Sequence, residues 1–262
     1  MASQRRFRYP WIILMRFSLV IAFLMVAGLA GLTAGTPPPR AAASETPAGA
    51  STERPAPEPE WAGLSNYRED NARLAAPAAG EKRVVFLGDS ITAGWGADGN
   101  FFPGRPYLNR GISGQTTAQM LVRFRQDVIR LQPAVVVILA GTNDIAGNGG
   151  PVTVEAIEDN LQSMAELAGG HGIRVVFSSV LPVLDYPWRP GLHPADKISA
   201  LNRWIAAYCA QHQLVYLDYY SAMVDQGGGM RPDLSGDGVH PAKAGYALMA
   251  PLVENAIHQA LN

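Results

Sequence analysis

Residues 134–144 read AVVVILAGTND, which is seven apolar residues in succession, then a glycine and three polar residues. An unbroken apolar run that is rich in valine is typical of a β-strand covered on both faces, as in parallel sheets. We therefore expect this strand to lie inside a parallel sheet, with the polar residues 142–144 at its carboxyl end.

The same alternation of apolar strand and helical pattern extends over the chain from residue 83 onward. The predicted strands are Arg83–Leu87, Tyr107–Ile112, Ala134–Ala140, Ile173–Leu181 and Leu214–Asp218, and apolar residues at helical spacing occupy 120–131, 154–167, 198–209 and 246–257. A looser pattern predicts a short amphipathic helix over residues 61–74. Strands that alternate with helices predict right-handed crossovers, so the fold class is α/β: a five-stranded parallel sheet in a three-layer α/β/α sandwich.

The first 35 residues carry the pattern of an export signal. Three arginines, the last of them Arg8, precede an apolar stretch that Arg16 interrupts, and residues 17–35 carry no charge. Such a segment is either a cleaved signal peptide, with a small-residue site at residues 41–43, or an uncleaved membrane anchor, and we expect cleavage. In both cases the arginines stay in the cytoplasm, so the rest is predicted to be exported, periplasmic or secreted, and to meet a membrane only through residues 1–35.

Residues 36–60 are predicted to form a linker, because seven of these 25 residues are proline and the others are mostly small or polar. The folded domain is predicted to be residues 61–262. Hydrophobic residues make up 48% of the chain, charged residues 16%, and the net charge is -1, which argues against disorder and against a nucleic-acid partner. The single cysteine, Cys209, lies on an apolar helical face and is predicted to be a buried thiol. Neither paired cysteines nor H-E-x-x-H spacing occurs, so no metal is indicated.

Four short polar stretches follow strands or precede a helix. Residues 88–90 (GDS) follow the first strand, where a tight turn exposes a serine hydroxyl beside free backbone N–H groups. Residues 113–115 (SGQ) follow the second strand, and Gly114 can offer an N–H without a Cβ in the way. Asn143 follows the third strand, and its amide can donate to a ligand. Taken singly, the first two are better explained by a helix cap or a turn, and the third is also explained by a loop.

The fourth stretch is residues 237–241 (DGVHP), ahead of the last helical pattern. An aspartate three residues before a histidine on a bent loop can accept a hydrogen bond from the Nδ1 of that histidine, which leaves Nε2 to activate a serine. The alternative is an Asp-Gly turn with a surface histidine. Ligands of parallel sheets bind at the carboxyl ends of the strands, so the four stretches together favour one hydrolytic site.

The four stretches, in this order, resemble the SGNH or GDSL hydrolase superfamily, and residues 109–117 (NRGISGQTT) are most similar to its platelet-activating-factor-acetylhydrolase-like branch. One departure is Ile91, where many members have leucine. The resemblance implies a flavodoxin-like sandwich, a nucleophile at Ser90, a base at His240 and its orienting acid at Asp237. It also implies an oxyanion hole formed by the N–H groups of Ser90 and Gly114 with the side chain of Asn143, and it implies no cofactor.

The predicted function is hydrolysis of carboxylic esters through an acyl-enzyme, with acetyl groups on carbohydrate as the first choice of substrate. The alternatives are a lysophospholipid or other lipid ester, and a catalytically silent glycan-binding module. An aromatic loop over residues 185–194 could line a sugar or acyl site, or only cover the core. The predicted substrate contacts are Asp89, Trp188 and His193.

Overall fold

The computed structural model describes residues 60–97, 99 and 101–262, so the predicted signal segment and nearly all of the linker lie outside the described residues. The described residues form five strands: β1 Val84–Gly88, β2 Tyr107–Gly111, β3 Val135–Leu139, β4 Arg174–Ser178 and β5 Val215–Leu217. All neighbouring strands are parallel, in the order β2-β1-β3-β4-β5. The predicted five-stranded parallel sheet is confirmed.

The helices of the same residues are α1 Arg68–Arg73, α2 Ser90–Gly94, α3 Thr117–Asp127, α4 Thr142–Ile145, α5 Val154–Gly169, α6 Ala195–His212, α7 Tyr220–Met223 and α8 Lys243–Leu261. The long ones coincide with the predicted helical patterns. Helix α3 ends at Asp127 and is followed by the 3-10 turn Ile129–Leu131, which ends at Gln132 in the left-handed conformation. The predicted helical pattern over residues 120–131 is therefore divided into two segments.

The sheet separates two apolar clusters because successive side chains of a strand point to opposite faces. In β1, Val85 and Leu87 belong to the cluster that contains the apolar faces of α3, α5 and α6. Val84 and Phe86 belong to the cluster on the other face, against α2 and α8. The predicted three-layer α/β/α sandwich is confirmed.

One part of the prediction, the helix over residues 61–74, differs from the structure. The helix expected over residues 61–74 is limited to the six residues of α1, none of which is buried, and Trp61 is 62% exposed. This segment is attached mainly by polar contacts, which an apolar periodicity does not detect. Cys209 is buried as predicted, and burial raises the pKa of its thiol to about 12.

The strand order places a crevice at the carboxyl end of β1. The chain leaves β1 to form β2 on one side and later returns to form β3 on the other, so the connections run in opposite directions. Gly88 at the end of β1 is level with Gly111 of β2 and Leu139 of β3. Ligands of open parallel sheets bind where the connections diverge in this way. The segments that follow these three strands therefore meet at one place.

Candidate active site

Ser90 occupies a tight turn between β1 and α2. A Cβ on Gly88 would lie 2.9 Å from the carbonyl oxygen of Leu139, so a larger residue does not fit there without a shift of the backbone. Asp89 caps the helix, because its carboxylate accepts a hydrogen bond from the N–H of Ile91 at 2.9 Å. The turn holds Ser90 at the first position of α2, where its side chain is half-buried.

Ser90, His240 and Asp237 form one hydrogen-bonded chain. The Oγ of Ser90 lies 2.9 Å from Nε2 of His240, and Nδ1 of the same ring lies 2.7 Å from Oδ2 of Asp237. Because a carboxylate can only accept, Nδ1 carries the proton and Nε2 is left to accept from the serine hydroxyl. This arrangement can move a proton from the hydroxyl to the imidazole, which is what an attacking serine requires.

The carboxylate of Asp237 is held by several donors. Its Oδ1 accepts from the backbone N–H groups of Val239 at 2.9 Å and His240 at 2.8 Å. Partial burial acts to raise the pKa of Asp237, but the hydrogen bonds from the side chain and backbone of His240 and from Val239 outweigh it and hold the pKa well below its usual range. Asp237 is therefore ionised at neutral pH.

Ser235 shapes the loop that carries this pair, and the sequence analysis did not identify it. Its Oγ accepts from the N–H of Gly238 at 2.9 Å and lies 2.7 Å from the carbonyl oxygen of His240 and 3.1 Å from Oδ1 of Asp237. Ser235 also forms a β-bridge with Pro241, and the side chain of Val239 is buried beneath the loop. The loop is thus closed by polar contacts and anchored by one apolar residue.

Three residues that carry N–H donors line a cleft that includes Ser90. Gly114 lies at φ +77, and among the described residues neither its N–H nor that of Ser90 donates to a protein acceptor. The side chain of Asn143 lines the same cleft, which has a volume of about 370 Å³. Backbone and amide N–H groups that converge in this way can stabilise an oxyanion.

The amide of Asn143 has a defined orientation. Its Oδ1 accepts from Nδ2 of Asn148 at 2.6 Å, and its own Nδ2 donates to the carbonyl oxygen of Gln115 at 3.1 Å. The second N–H of the amide remains for a ligand. The next residue, Asp144, accepts from the backbone N–H of Thr117 at 2.9 Å and from its hydroxyl at 2.6 Å, which joins α4 to the start of α3.

A buried arginine connects the segments that follow β1 and β2. Arg123 of α3 is wholly buried, and its guanidinium donates to the carbonyl oxygen of Gly88 at 2.9 Å and to the side chain of Gln115. It also pairs with the equally buried Asp127 at 3.1 Å. Burial lowers the pKa of Arg123, while Asp127 acts to raise it. Removing one partner of such a pair leaves an uncompensated buried charge, so the pair holds these segments together.

Asp89 does not fit its predicted role as a substrate contact. The residue has no exposed surface, because its side chain turns under α2 to cap the helix. One carboxylate oxygen, Oδ2, has no hydrogen-bond partner among the described residues. Burial raises the pKa of Asp89 to about 7, against the opposing effects of the Ile91 N–H and the nearby His240.

The two predicted contacts in the loop after β4 lie in different places. Trp188 lines the cleft, is 43% exposed, and has its ring centre 6.2 Å from that of His240. His193 is exposed but does not line the cleft, and it takes a left-handed φ of +47 immediately before the first turn of α6. Its predicted contact with substrate does not fit this position, because His193 is not among the residues that line the cleft.

Asn148 lines the cleft but was not found from the sequence. It lies in residues 147–150 (GNGG), a composition that indicates only a turn. Its backbone N–H donates to the carbonyl oxygen of Asn143 at 3.0 Å, and its Oδ1 accepts from the indole N–H of Trp188 at 3.1 Å. The one available signal was its closeness along the chain to Asn143.

Among the described residues, no group of three His, Cys, Asp or Glu side chains is arranged to hold a metal ion. None of their helices combines the length and the apolar composition needed to span a bilayer.

Residues 86–248 match the model of the GDSL-like Lipase/Acylhydrolase family. A GDSL-like lipase structure from Bacteroides thetaiotaomicron is 45% identical, with a TM-score of 0.75, and the match covers 77% of this chain and 100% of that one. Esterase TesA of Pseudomonas aeruginosa is 30% identical over 185 residues, which are 65% of this chain and 85% of TesA. The uncharacterized lipoprotein YqeF of Bacillus subtilis is 32% identical over 124 residues, 40% of this chain, and the match spans only 51% of YqeF.

Proposed function

We propose that Ser90 is the nucleophile of a serine esterase. This chain belongs to the GDSL-like lipase/acylhydrolase family, which is the class of carboxylic-ester hydrolases predicted from its sequence. The observation that carries this proposal is the distance of 2.9 Å between the Oγ of Ser90 and Nε2 of His240, in a ring oriented by Asp237. A serine hydroxyl is a weak nucleophile until a base in this position accepts its proton.

The reaction proceeds in two halves. The Oγ of Ser90 attacks the acyl carbonyl carbon while its proton passes to Nε2 of His240, and the imidazolium then gives that proton to the leaving alcohol. Water, activated by the same ring, attacks the acyl-enzyme and releases the carboxylic acid. Asp237 stays ionised throughout, holds the tautomer of the ring and stabilises the imidazolium.

In both halves the carbonyl oxygen becomes an oxyanion. The N–H groups of Ser90 and Gly114 and the free N–H of Asn143 are assigned to this oxygen. Support comes from the left-handed φ of Gly114, from the fixed amide of Asn143 and from the lining of one cleft by all three residues. Donors that are already in position before the charge develops need no reorganisation during the reaction.

The cleft favours a short acyl group on a polar alcohol. Most of the side chains that line it are polar, and Trp188 is the large apolar surface among its lining residues. A long acyl chain would need a deeper apolar tunnel to bury its methylenes, at about 0.8 kcal/mol for each. An exposed indole face beside polar groups instead suits a sugar ring. The proposed substrate is therefore an acetyl ester on a carbohydrate.

Acyl-chain profiling of the purified protein tests this function. The p-nitrophenyl esters of acetate, butyrate, octanoate and palmitate are compared, with Ser90→Ala as the matched blank. Acetate is expected to give the highest kcat/KM, and acetylated oligosaccharides are expected to release acetate whereas lysophosphatidylcholine stays intact. A preference for palmitate and lysophosphatidylcholine would replace the substrate proposal with a lipid ester. Absence of turnover with every ester would reject the esterase itself.

Export is proposed on the sequence of residues 1–35 alone. Cell fractionation with N-terminal sequencing of the mature protein tests it. An exported protein that begins near residue 44 agrees with cleavage after residues 41–43, and an intact N-terminus in the membrane fraction identifies an anchor. Recovery of the intact chain in the cytoplasm would reject export.

A further inference from the structure

A chain of side-chain hydrogen bonds runs from an exposed tryptophan to the amide of Asn143. The indole Nε1 of Trp188 donates to Oδ1 of Asn148 at 3.1 Å, and Nδ2 of Asn148 donates to Oδ1 of Asn143 at 2.6 Å. All three residues line the cleft above Ser90. None of these contacts is needed to close the sheet or to cover its core.

The chain has only one possible direction. An indole N–H can donate but never accept, so the carbonyl end of the Asn148 amide must face Trp188. The NH₂ end of Asn148 then faces Asn143 and requires the carbonyl end of that amide. As a result the NH₂ end of Asn143 is turned toward the carbonyl of Gln115, and one of its two N–H groups is left for a ligand.

The tryptophan itself is held firmly. Tyr186, two residues earlier, is wholly buried, and its hydroxyl donates to the carbonyl oxygen of Thr142 at 3.0 Å. Residues 186–189 form a turn, with the N–H of Arg189 bonded to the carbonyl oxygen of Tyr186 at 2.9 Å. The ring of Trp188 rests on that of Tyr186, with centres 5.1 Å apart. Since Thr142 directly precedes Asn143, both ends of the chain are fixed to the same segment.

We propose that Trp188 and Asn148 are positioning residues, which orient the Asn143 amide so that its free N–H meets the oxyanion. The inference rests on the proposed function. Donors and acceptors in series also polarise one another, by about 10–30% per bond, so the same chain strengthens the N–H that faces the substrate. Asn148 lies at the surface and can be changed with little effect on packing.

A double-mutant cycle between Asn148 and Asn143 tests the inference. Asn148→Ala removes one well-oriented hydrogen bond and is expected to lower kcat on p-nitrophenyl acetate about 3- to 10-fold, with KM nearly unchanged. In the Asn143→Ala background the same change should lower kcat less than about 2-fold, because there is no amide left to orient. A residue that only stabilised the loop would lower kcat by the same factor in both backgrounds.

The substitution Trp188→Phe distinguishes the contribution of the indole N–H from that of the aromatic ring. The phenyl ring can still rest on Tyr186, but the donor is gone, so a kcat loss of about 2- to 5-fold is expected, and again a loss of less than about 2-fold in the Asn143→Ala background. Trp204→Phe is the control, because Trp204 stacks on Tyr208 with centres 4.9 Å apart and does not line the cleft. Full kcat in Asn148→Ala, or additive losses in either cycle, would overturn the inference. Absence of ester turnover by the wild type would instead reject the proposed function.

Discussion

His240 contacts the carboxylate of Asp237 through two N–H groups, its backbone N–H at 2.8 Å from Oδ1 and its ring Nδ1 at 2.7 Å from Oδ2. The three-residue spacing lets one side chain fix both the fold of the loop and the tautomer of the ring. The two oxygens are not equivalent, since Oδ1 also accepts from Val239 and lies near the hydroxyl of Ser235.

The Asp237→Asn variant is therefore expected to keep the fold of the loop but to lose the His240 tautomer that carries its proton on Nδ1. The amide oxygen must take the place of Oδ1 to accept the backbone N–H groups, so the NH₂ end faces Nδ1 of His240. The ring then moves its proton to Nε2 and cannot accept from Ser90. We expect kcat on p-nitrophenyl acetate to fall about 10⁴-fold, the scale for a wrong tautomer in such a triad, with little change in melting temperature.

Asp233→Asn is the control for that substitution. Asp233 pairs with Arg231 at the surface of the preceding turn, and exposed pairs of this kind contribute little. Its kcat should equal that of the wild type. An Asp237→Asn variant within tenfold of the wild-type kcat would show that the carboxylate does not set the tautomer.

The two histidines that precede a proline, His193 and His240, are expected to differ completely in how their substitution affects kcat. His240→Asn removes the base and should lower kcat by about 10⁴-fold or more. His193→Asn should leave kcat and KM unchanged, because His193 does not line the cleft, and asparagine tolerates its left-handed backbone. The two variants differ from the wild type by the same chemical change. A larger kcat loss for His193→Asn than for His240→Asn would show that the base is not His240.

The sequence located the residues whose position depends on the strands. Gly88, Gly114 and Asn143 follow apolar runs that end where the sheet ends, so their meeting follows from the topology of a parallel sheet. The separation of Trp188 from His193 was not predictable in this way. Asp185 accepts the N–H groups of Leu192 and Tyr186 at 3.1 and 3.0 Å, and this closure of the loop decides which side chain faces the cleft.

Polar residues that act through one another were also missed. Arg123 contacts the site through a hydrogen bond to a segment distant in sequence. Asn148 and Ser235 instead make their contacts within loops that have no periodicity, each with a residue five positions away. Arg123 lies in an amphipathic helix, where a charged residue is ordinarily assigned to solvent, and its partners are Asp127 on the same helix, Gln115 just before that helix and Gly88 at the end of β1. A pattern of apolar residues carries no information about such polar contacts, so only the structure shows them.

Gly114→Ala tests the N–H donor at that position. A Cβ there meets no atom within 4 Å, so the cost is the strain of a left-handed φ of +77, about 1–2 kcal/mol. The backbone is expected to relax and turn the N–H away from the oxyanion, which lowers kcat about tenfold or more. Gly172→Ala is the matched control, since Gly172 has φ +69, equally open surroundings, and lies in the turn before β4 at the opposite end of the sheet.

The two glycine variants should lose similar stability in urea unfolding and differ only in kcat. A kcat equal to that of the wild type in both variants would mean that the N–H of Gly114 does not contact the transition state. Equal losses of kcat in both would mean that backbone strain, and not the donor, limits activity.

Asp89→Asn is expected to change how stability depends on pH. Burial raises the pKa of Asp89 from 3.8 to about 7 in the folded protein. Between these values the unfolded chain has released the proton and the folded chain still holds it, so the free energy of unfolding falls as pH rises. This contribution is fully present below about pH 4, is lost as pH rises through 7, and changes no further above about pH 8, on the order of 4 kcal/mol in total.

Asparagine cannot ionise, so the free energy of unfolding of Asp89→Asn lacks this decrease with rising pH. Its side-chain oxygen can still accept a hydrogen bond from the N–H of Ile91. Urea unfolding of both proteins from pH 5 to pH 9 measures the difference. The stability of the variant relative to the wild type should rise by about 3 kcal/mol between pH 5 and about pH 8 and then stay level. The prediction concerns how this stability difference changes with pH. A constant penalty from the unpartnered NH₂ group of the asparagine shifts all values equally and does not affect it. A difference that stays level over the whole range would show that Asp89 is already ionised in the folded protein at pH 5.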